Sequence, residues 1–296
     1  MSEMRNKISE SADVRKIAVI LSALAPSLIA LTFFFWPLIE SVKESFRSFY
    51  GEDVGWQNYI DAINNPAFIS AFQYTLGITL IVLAVTIVSS VVLAMALRRT
   101  FVGKKVALFM LQVDVAVPSI ACATMMILVL SKTGALSTLL YNLGLIKDYT
   151  EFPNIFYNSN GLGVIISIVW LFVPYITLSL ISVLHSISNE EEDQAATLGI
   201  GKVKRFIFIT LPSLKSSIAY TSILCFACTF ASFELPSLVG DQHSMVTLAY
   251  YYYNILGSAP RHMESYSISV MVTIITLAVS SLLMYYSLST DEKRRG

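Results

Sequence analysis

The sequence predicts an all-α membrane protein of six transmembrane helices, and three observations carry that prediction. Hydrophobic residues fill 55% of the 296 positions and charged residues only 14%, where an average soluble domain has roughly a quarter charged. Mean hydropathy is +0.66, too high for a water-soluble fold of this length. Six apolar stretches are each long enough to cross a bilayer as a helix, which takes about 20 residues at roughly 1.5 Å each. The alternating segments of about 10 residues that mark a membrane barrel are absent.

The six spans run over Ile17–Ile39, Thr75–Leu97, Val106–Leu130, Gly161–Leu184, Ser216–Phe233 and Tyr266–Leu288. Residues 1–16 form an N-terminal segment, 17–288 the transmembrane domain and 289–296 a tail. The first span follows Arg5, Lys7, Arg15 and Lys16 as a signal peptide would, but its apolar run of 23 residues exceeds the roughly 7–15 of a secretory core, and no small-residue cleavage site follows. It is read as a retained helix. Five spans contain no Asp, Glu, Lys or Arg, and the third contains only Asp114.

Lys and Arg in the connections set the orientation. The N-terminus, the second connection (Arg98, Arg99, Lys104, Lys105), the fourth (Lys202, Lys204, Arg205, Lys215) and the C-terminus (Lys293, Arg294, Arg295) hold 15 of them, and the other side holds 5. Both termini are therefore expected in the cytoplasm. Acidic residues gather on the outer side, Glu234 and Glu264 among them, and are read mostly as solvated loop groups. The outer aromatics Phe33–Trp36 and Tyr250–Tyr253 read as an interfacial belt.

Several function classes are excluded. Lys+Arg and Asp+Glu number 20 each, so no basic field exists for nucleic acid. Three cysteines cannot staple the chain. Cys225-x-x-Cys228 lies within a span with no second ligand pair, so both read as small buried hydrophobes rather than a metal or redox site. No Ser/His/Asp grouping or metal cluster is visible, and no G-x-x-x-x-G-K-[ST] phosphate loop occurs. The chain is not expected to be an enzyme, to hold a catalytic residue or to bind a cofactor.

Polar residues in or beside the spans are the candidates for a solute pathway. A charge at mid-membrane costs about 2.5–3.5 kcal/mol on insertion scales, so Asp114 must face protein or water; its alternatives are a pathway role and a structural hydrogen bond. Pro118, four residues on, frees a carbonyl and kinks the third span. Glu234 and Pro236, where the fifth span emerges, are either a solvated helix end or a re-entrant segment guarding the path. Trp170 and Pro174 read as packing and a kink.

The connection 185–215 is too long to be a simple join. Ser188 or Asn189 can cap a helix, with the acidic run Glu190–Asp193 favoured in its first turn. Ala195 and Ala196 offer a small surface suited to docking. Gly199 and Gly201 stop the helix. Lys202, Lys204 and Arg205 follow, then a second apolar segment of Phe206, Ile207, Ile209 and Leu211, closed by Pro212 before the fifth span.

This segment resembles the signature loop of ABC importer permeases: E-A-A, three residues, G, nine residues, I-x-L-P. Here Asp193, Gln194 and Ala195 precede Gly199, and nine residues later come Ile209, Thr210, Leu211 and Pro212. Asp replaces Glu and Gln replaces the first Ala. The approach to the second span, Asn58-Tyr59 through Asn64-Asn65-Pro66 to Phe68, and its exit from Ala94 to Arg99 are similar to the same family. Phe233 to Gly240 resembles the F-x-x-P-x-L-x-G segment of polyamine, iron, phosphonate or thiamine permeases; sugar permeases share the architecture.

The resemblance implies a type I importer permease in a bacterial cytoplasmic (inner) membrane, working with two cytoplasmic ATPase subunits that use ATP. A second permease subunit, a different chain rather than a second copy, and an extracytoplasmic solute-binding protein would complete it. Asp193, Ala195, Ala196 and Gly199 would form the helix that docks on the ATPase, and Ile209, Leu211 and Pro212 its anchor. The solute would be small and polar, of the polyamine, iron, phosphonate or thiamine kind ahead of a sugar. Alternatives are an ion-coupled secondary transporter, disfavoured by the lone intramembrane Asp and the lack of a repeat, and a non-transporting scaffold.

Overall fold

A computed structural model describes residues 22, 24, 26–186, 194–243, 245–258 and 261–295. Among these the chain is helical, with one isolated antiparallel bridge between Arg47 and Asp53. Helix α1 covers 26–44, and α2 (Gln57–Asn64), α3 (Pro66–Arg98), α4 (Lys104–Val115), α5 (Ser119–Leu130), α6 (Ala135–Asn142) and α7 (Leu162–Ser186) follow. After them come α8 (194–197), α9 (Lys202–Arg205), α10 (Leu211–Phe230), α11 (Glu234–Val239), α12 (Leu248–Leu256) and α13 (His262–Arg295). A π turn, Phe206–Thr210, joins α9 to α10.

Five stretches of the described residues are long and apolar enough to cross a membrane: Pro66–Arg98, Ser119–Asn142, Leu162–His185, Lys202–Phe230 and His262–Tyr285. The first expected span is described at 22, 24 and, within helix α1, 26–39; its remaining positions lie outside the described residues. Its described part, within α1, exposes Leu28, Phe33, Phe34 and Trp36.

Helix α3 begins well before the expected Thr75, because the sequence supplies a start signal. Asn65 caps it, its side-chain oxygen accepting from the Ala67 N–H at 2.9 Å, and Pro66 takes the first helical position, where a missing N–H costs nothing. Just upstream, the Asn58 amide donates to the Ser45 and Arg47 carbonyls (2.9 Å each), and the Tyr59 hydroxyl meets the Ser45 hydroxyl at 2.7 Å. These bonds tie the end of α1 to α2.

The centre of the bundle is the pair α3 and α7, with α10 against both. Ala71, Thr75, Thr79, Val82, Thr86, Ser90 and Ala94 lie three or four residues apart on α3, and all are buried. Small residues at that spacing let two membrane helices approach closely, so dispersion replaces the hydrophobic effect as the source of association. Helix α13 packs on the other side of α10 together with α2 and α12. There the rings of Phe226 and Phe230 stack at 5.5 Å, and Phe72 meets Phe230 edge-on at 6.2 Å.

The expected third span is not one helix. α4 stops at Val115, and Pro118 stands before α5 with φ −62° and ψ 146°. Proline lacks the N–H that would continue the ladder, and it pushes Val117 out of helical geometry. The result is two 12-residue helices, each only about 18 Å long. α5 then extends through α6 to make the apolar stretch. The fifth span also differs. It starts at Lys202 and ends at Phe230, and Phe233 belongs to the approach to α11.

Candidate functional site

Asp193 lies outside the described residues. From Gln194 onward the connection ahead of the fifth span is defined by backbone hydrogen bonds. Gly199 N–H donates to the Ala196 carbonyl and Ile200 N–H to the Ala195 carbonyl, both at 3.0 Å. This is a Schellman termination, and it needs a left-handed residue after the last turn. Gly199 supplies it at φ +80°, with open space where a Cβ would stand.

The two alanines divide. Ala195 is buried against the protein, while Ala196 is exposed together with Leu198 and Gly199. Of the two alanines only Ala196 presents a small exposed surface, since Ala195 faces inward, as successive helical residues point about 100° apart.

Beyond Gly199 the structure corrects the expectation that Pro212 ends a separate anchoring helix. The helix runs unbroken from Lys202 to Phe230. The π turn is the device: Leu211 N–H reaches back to the Phe206 carbonyl, and Pro212 then sits among the first residues of α10. Widening the turn relieves the clash a proline ring makes with the carbonyl four residues earlier. Ser213 Oγ donates to the Ile209 carbonyl at 2.8 Å. Ile209 is half-buried and Leu211 exposed, while Thr210 and Leu214 between and beyond them are buried.

The pathway candidates fall into two groups. Asp114, on α4, accepts a hydrogen bond at 2.9 Å from the indole N–H of Trp170 on α7. Both line a cavity of about 710 Å³ between α3, α4, α5 and α7 whose other walls, such as Met110, Val169 and Val173, are apolar. Trp170 therefore does more than pack.

The second group joins α5 to α11. Ser119 Oγ donates to the Glu234 carboxylate, so the Pro118–Ser119 start of α5 and Glu234 at the start of α11 are neighbours. Glu234 is exposed, and Leu235, Pro236 and Val239 are buried where α11 packs on α5 and α7. The far end of α11 is pinned by Tyr157, whose N–H donates to the Val239 carbonyl at 3.1 Å from a left-handed backbone, φ +56°. Gly163 on α7 permits the approach: a Cβ there would lie 2.5 Å from the Phe156 ring and 3.1 Å from the Val239 carbonyl. Ser119 is the residue that sequence reasoning passed over; its place directly after a helix-breaking proline was the available signal.

Two further expectations change. Cys225 is buried but Cys228 is exposed, so only one of the pair is a core residue; both are free. Glu264 is not a solvated loop group. It is buried and receives two 2.7 Å hydrogen bonds from Arg261, whose guanidinium also donates to the Tyr251 hydroxyl at 2.6 Å. The hydrogen bonds to Glu264 raise the Arg261 pKa above its ordinary value. No group of His, Cys, Asp and Glu suited to a metal occurs among the described residues.

Comparison with known proteins shows which family this helical membrane fold belongs to. The profile for binding-protein-dependent transport system inner membrane components matches residues 87–291, and the chain belongs to that family. It is 26% identical over 277 residues to the probable ABC transporter permease protein YurN of Bacillus subtilis, covering 89% of this chain and 94% of that one. It is 24% identical to the sulfate transport system permease protein CysW of Escherichia coli, covering 81% and 80%.

The same fold occurs in the crystal structure of a bacterial alginate ABC transporter in complex with alginate pentasaccharide-bound periplasmic protein. The TM-score is 0.77 at 16% identity, over 93% of this chain and 96% of that one. The chain is a multi-pass membrane protein and a permease component of a binding-protein-dependent ABC importer. Family membership sets aside the ion-coupled and scaffold alternatives.

Proposed function

We propose that this permease is driven through α8 and its Gly199 termination, which dock on a cytoplasmic ATPase subunit, and that ATP hydrolysis occurs on that partner. The observation that carries this reading is the exposed Ala196–Leu198–Gly199 corner placed directly ahead of a helix continuous with a membrane span. Ala195, buried beneath the corner, and Ile209, Leu211 and Pro212, at the joint with α10, hold it in place; Asp193 is assigned to the same docking helix. The charge asymmetry of the connections supports an arrangement with both termini and this corner in the cytoplasm, in a bacterial inner membrane. A second permease chain, two ATPase subunits and an extracytoplasmic solute-binding protein complete the importer, and the alginate transporter's complex with its periplasmic protein supports the last of these.

The solute is read as small and polar. The contact between α5 and α11, with Pro118, Ser119, Glu234 and Pro236, is the region assigned to guard its path, and the Phe233–Gly240 motif supports a solute of the polyamine, iron, phosphonate or thiamine kind. The Salmonella typhimurium relative named a putative 2-aminoethylphosphonate permease, 22% identical, agrees with this. A sugar is the second reading, favoured by the alginate neighbours. Asp114 is assigned to holding α4 against α7.

Affinity purification of the tagged full chain from its own membranes tests the assignment. An ATPase subunit should co-purify, and its ATP hydrolysis should rise with the loaded binding protein. Recovery of the chain with no ATPase, while uptake in the source cells depends on the chain, would overturn it.

A further inference from the structure

The C-terminal end of α3 and the start of α9 enclose a cavity of about 620 Å³, within the range of small-molecule sites. Its lining divides by chemistry. Arg98, Arg99, Lys202 and Arg205 bring four cationic side chains to it, and Val92, Met95 and Phe206 are part of its apolar side. The Lys104 ammonium, donating to the Arg98 carbonyl at 3.4 Å, adds positive charge to the same helix end. Val92 is 64% and Val203 71% exposed, so the cavity opens onto the apolar outer surface of the bundle.

Lys202, Lys204 and Arg205 occupy the first turn of a helix running to Phe230, where the backbone dipole already presents its positive end. Gly201, the residue before it, supplies no side-chain cap. An anion placed there gains from both the cations and the first-turn amides. One ligand class matches phosphate-binding charge at a helix end beside an open hydrocarbon wall: a phospholipid with a net negative headgroup.

We propose that this cavity is a binding site for an anionic phospholipid, its phosphate between Arg99, Lys202 and the start of the helix, its acyl chains along Val92, Met95 and Phe206. The site requires only that α3 and the Lys202–Phe230 helix cross a bilayer, and it holds whatever the solute and whichever side is cytoplasmic.

The test uses the full chain purified in mild detergent and offered phosphatidylglycerol, phosphatidylcholine or inorganic phosphate, with bound species read by native mass spectrometry. Phosphatidylglycerol should be retained and phosphatidylcholine not, and equimolar phosphate should not displace the lipid. The double variant Arg99→Gln/Lys202→Gln should weaken retention about 30-fold, the effect of two lost surface cations. Arg99→Lys/Lys202→Arg should preserve it, which separates lost charge from misfolding. Equal retention of phosphatidylcholine, displacement by phosphate, or unchanged retention in the glutamine variant would each overturn the site. So would loss of ATPase co-purification in the glutamine variant with lipid retention intact, since the cations would then belong to a protein interface.

Discussion

The Trp170 indole on α7 and the Asp114 carboxylate on α4 are hydrogen-bonded at 2.9 Å, immediately before the chain breaks at Pro118. α4 has no buried residue of its own, so this bond matters to how the half-helix is held. Asp114→Asn keeps an acceptor and should leave uptake and thermal stability close to the parent. Trp170→Phe removes the donor and should lower stability by about 1–2 kcal/mol, read as a fall in the unfolding midpoint in detergent. Loss of uptake in Asp114→Asn at unchanged stability would show instead that the charge acts on the solute.

At Gly199 the difficulty for any side chain is conformational, because nothing lies within 4 Å of a Cβ there. A left-handed backbone costs an ordinary L-residue roughly 1–2 kcal/mol, and asparagine less. Gly199→Val should insert normally yet lose most coupled ATP hydrolysis, whereas Gly199→Asn should retain a large share. Equal activity of all three proteins in a reconstituted hydrolysis assay would show that the turn does not set the docking geometry.

Close approach rather than backbone freedom governs Gly163. Its added methyl would strike the Phe156 ring and crowd the Val239 carbonyl, so Gly163→Ala should destabilise by about 1–3 kcal/mol. The loss should concentrate at α11, where the Tyr157–Val239 bond would open. Hydrogen exchange at residues 234–239 should accelerate while that of α3 stays slow.

Arg261 holds Glu264 by two charge-assisted hydrogen bonds at one edge of α13. Glu264→Gln should lower stability by about 1.5–3 kcal/mol. The raised pKa of Arg261 means that its contribution is complete below the ordinary, strongly basic guanidinium value and is lost only as pH rises beyond it. Unfolding midpoints of the parent measured over about pH 5–9 should therefore show no step from this group.

Much of the bundle was legible because membrane spans are written in long apolar runs, although hydropathy alone placed the start of α3 at Thr75 and left the Asn65-Pro66 start signal unread. The break at Pro118 was foreseen only as a kink, since a proline's effect depends on whether neighbouring helices restore the ladder. The buried setting of Glu264 could not be read from a loop position, because its partner Arg261 and the tyrosine beyond it meet only in the folded chain. In the connection 185–215, Gly199 carried its own explanation. The division of Ala195 from Ala196 did not, because it depends on which face of α8 turns inward, and the meeting of Ser119 with Glu234 needed contact between segments 115 residues apart.

The unbroken passage from Lys202 to Phe230 sets how displacement travels. A break at Pro212 would absorb a push at the proposed docking corner; a continuous helix from Lys202 to Phe230, about 44 Å long, can carry it to the far end. Pivoting that helix by about 10° sweeps its far tip through about 8 Å, enough to carry the α11 segment off its seat on α5. The widened turn keeps the shaft whole where its proline would otherwise have cut it.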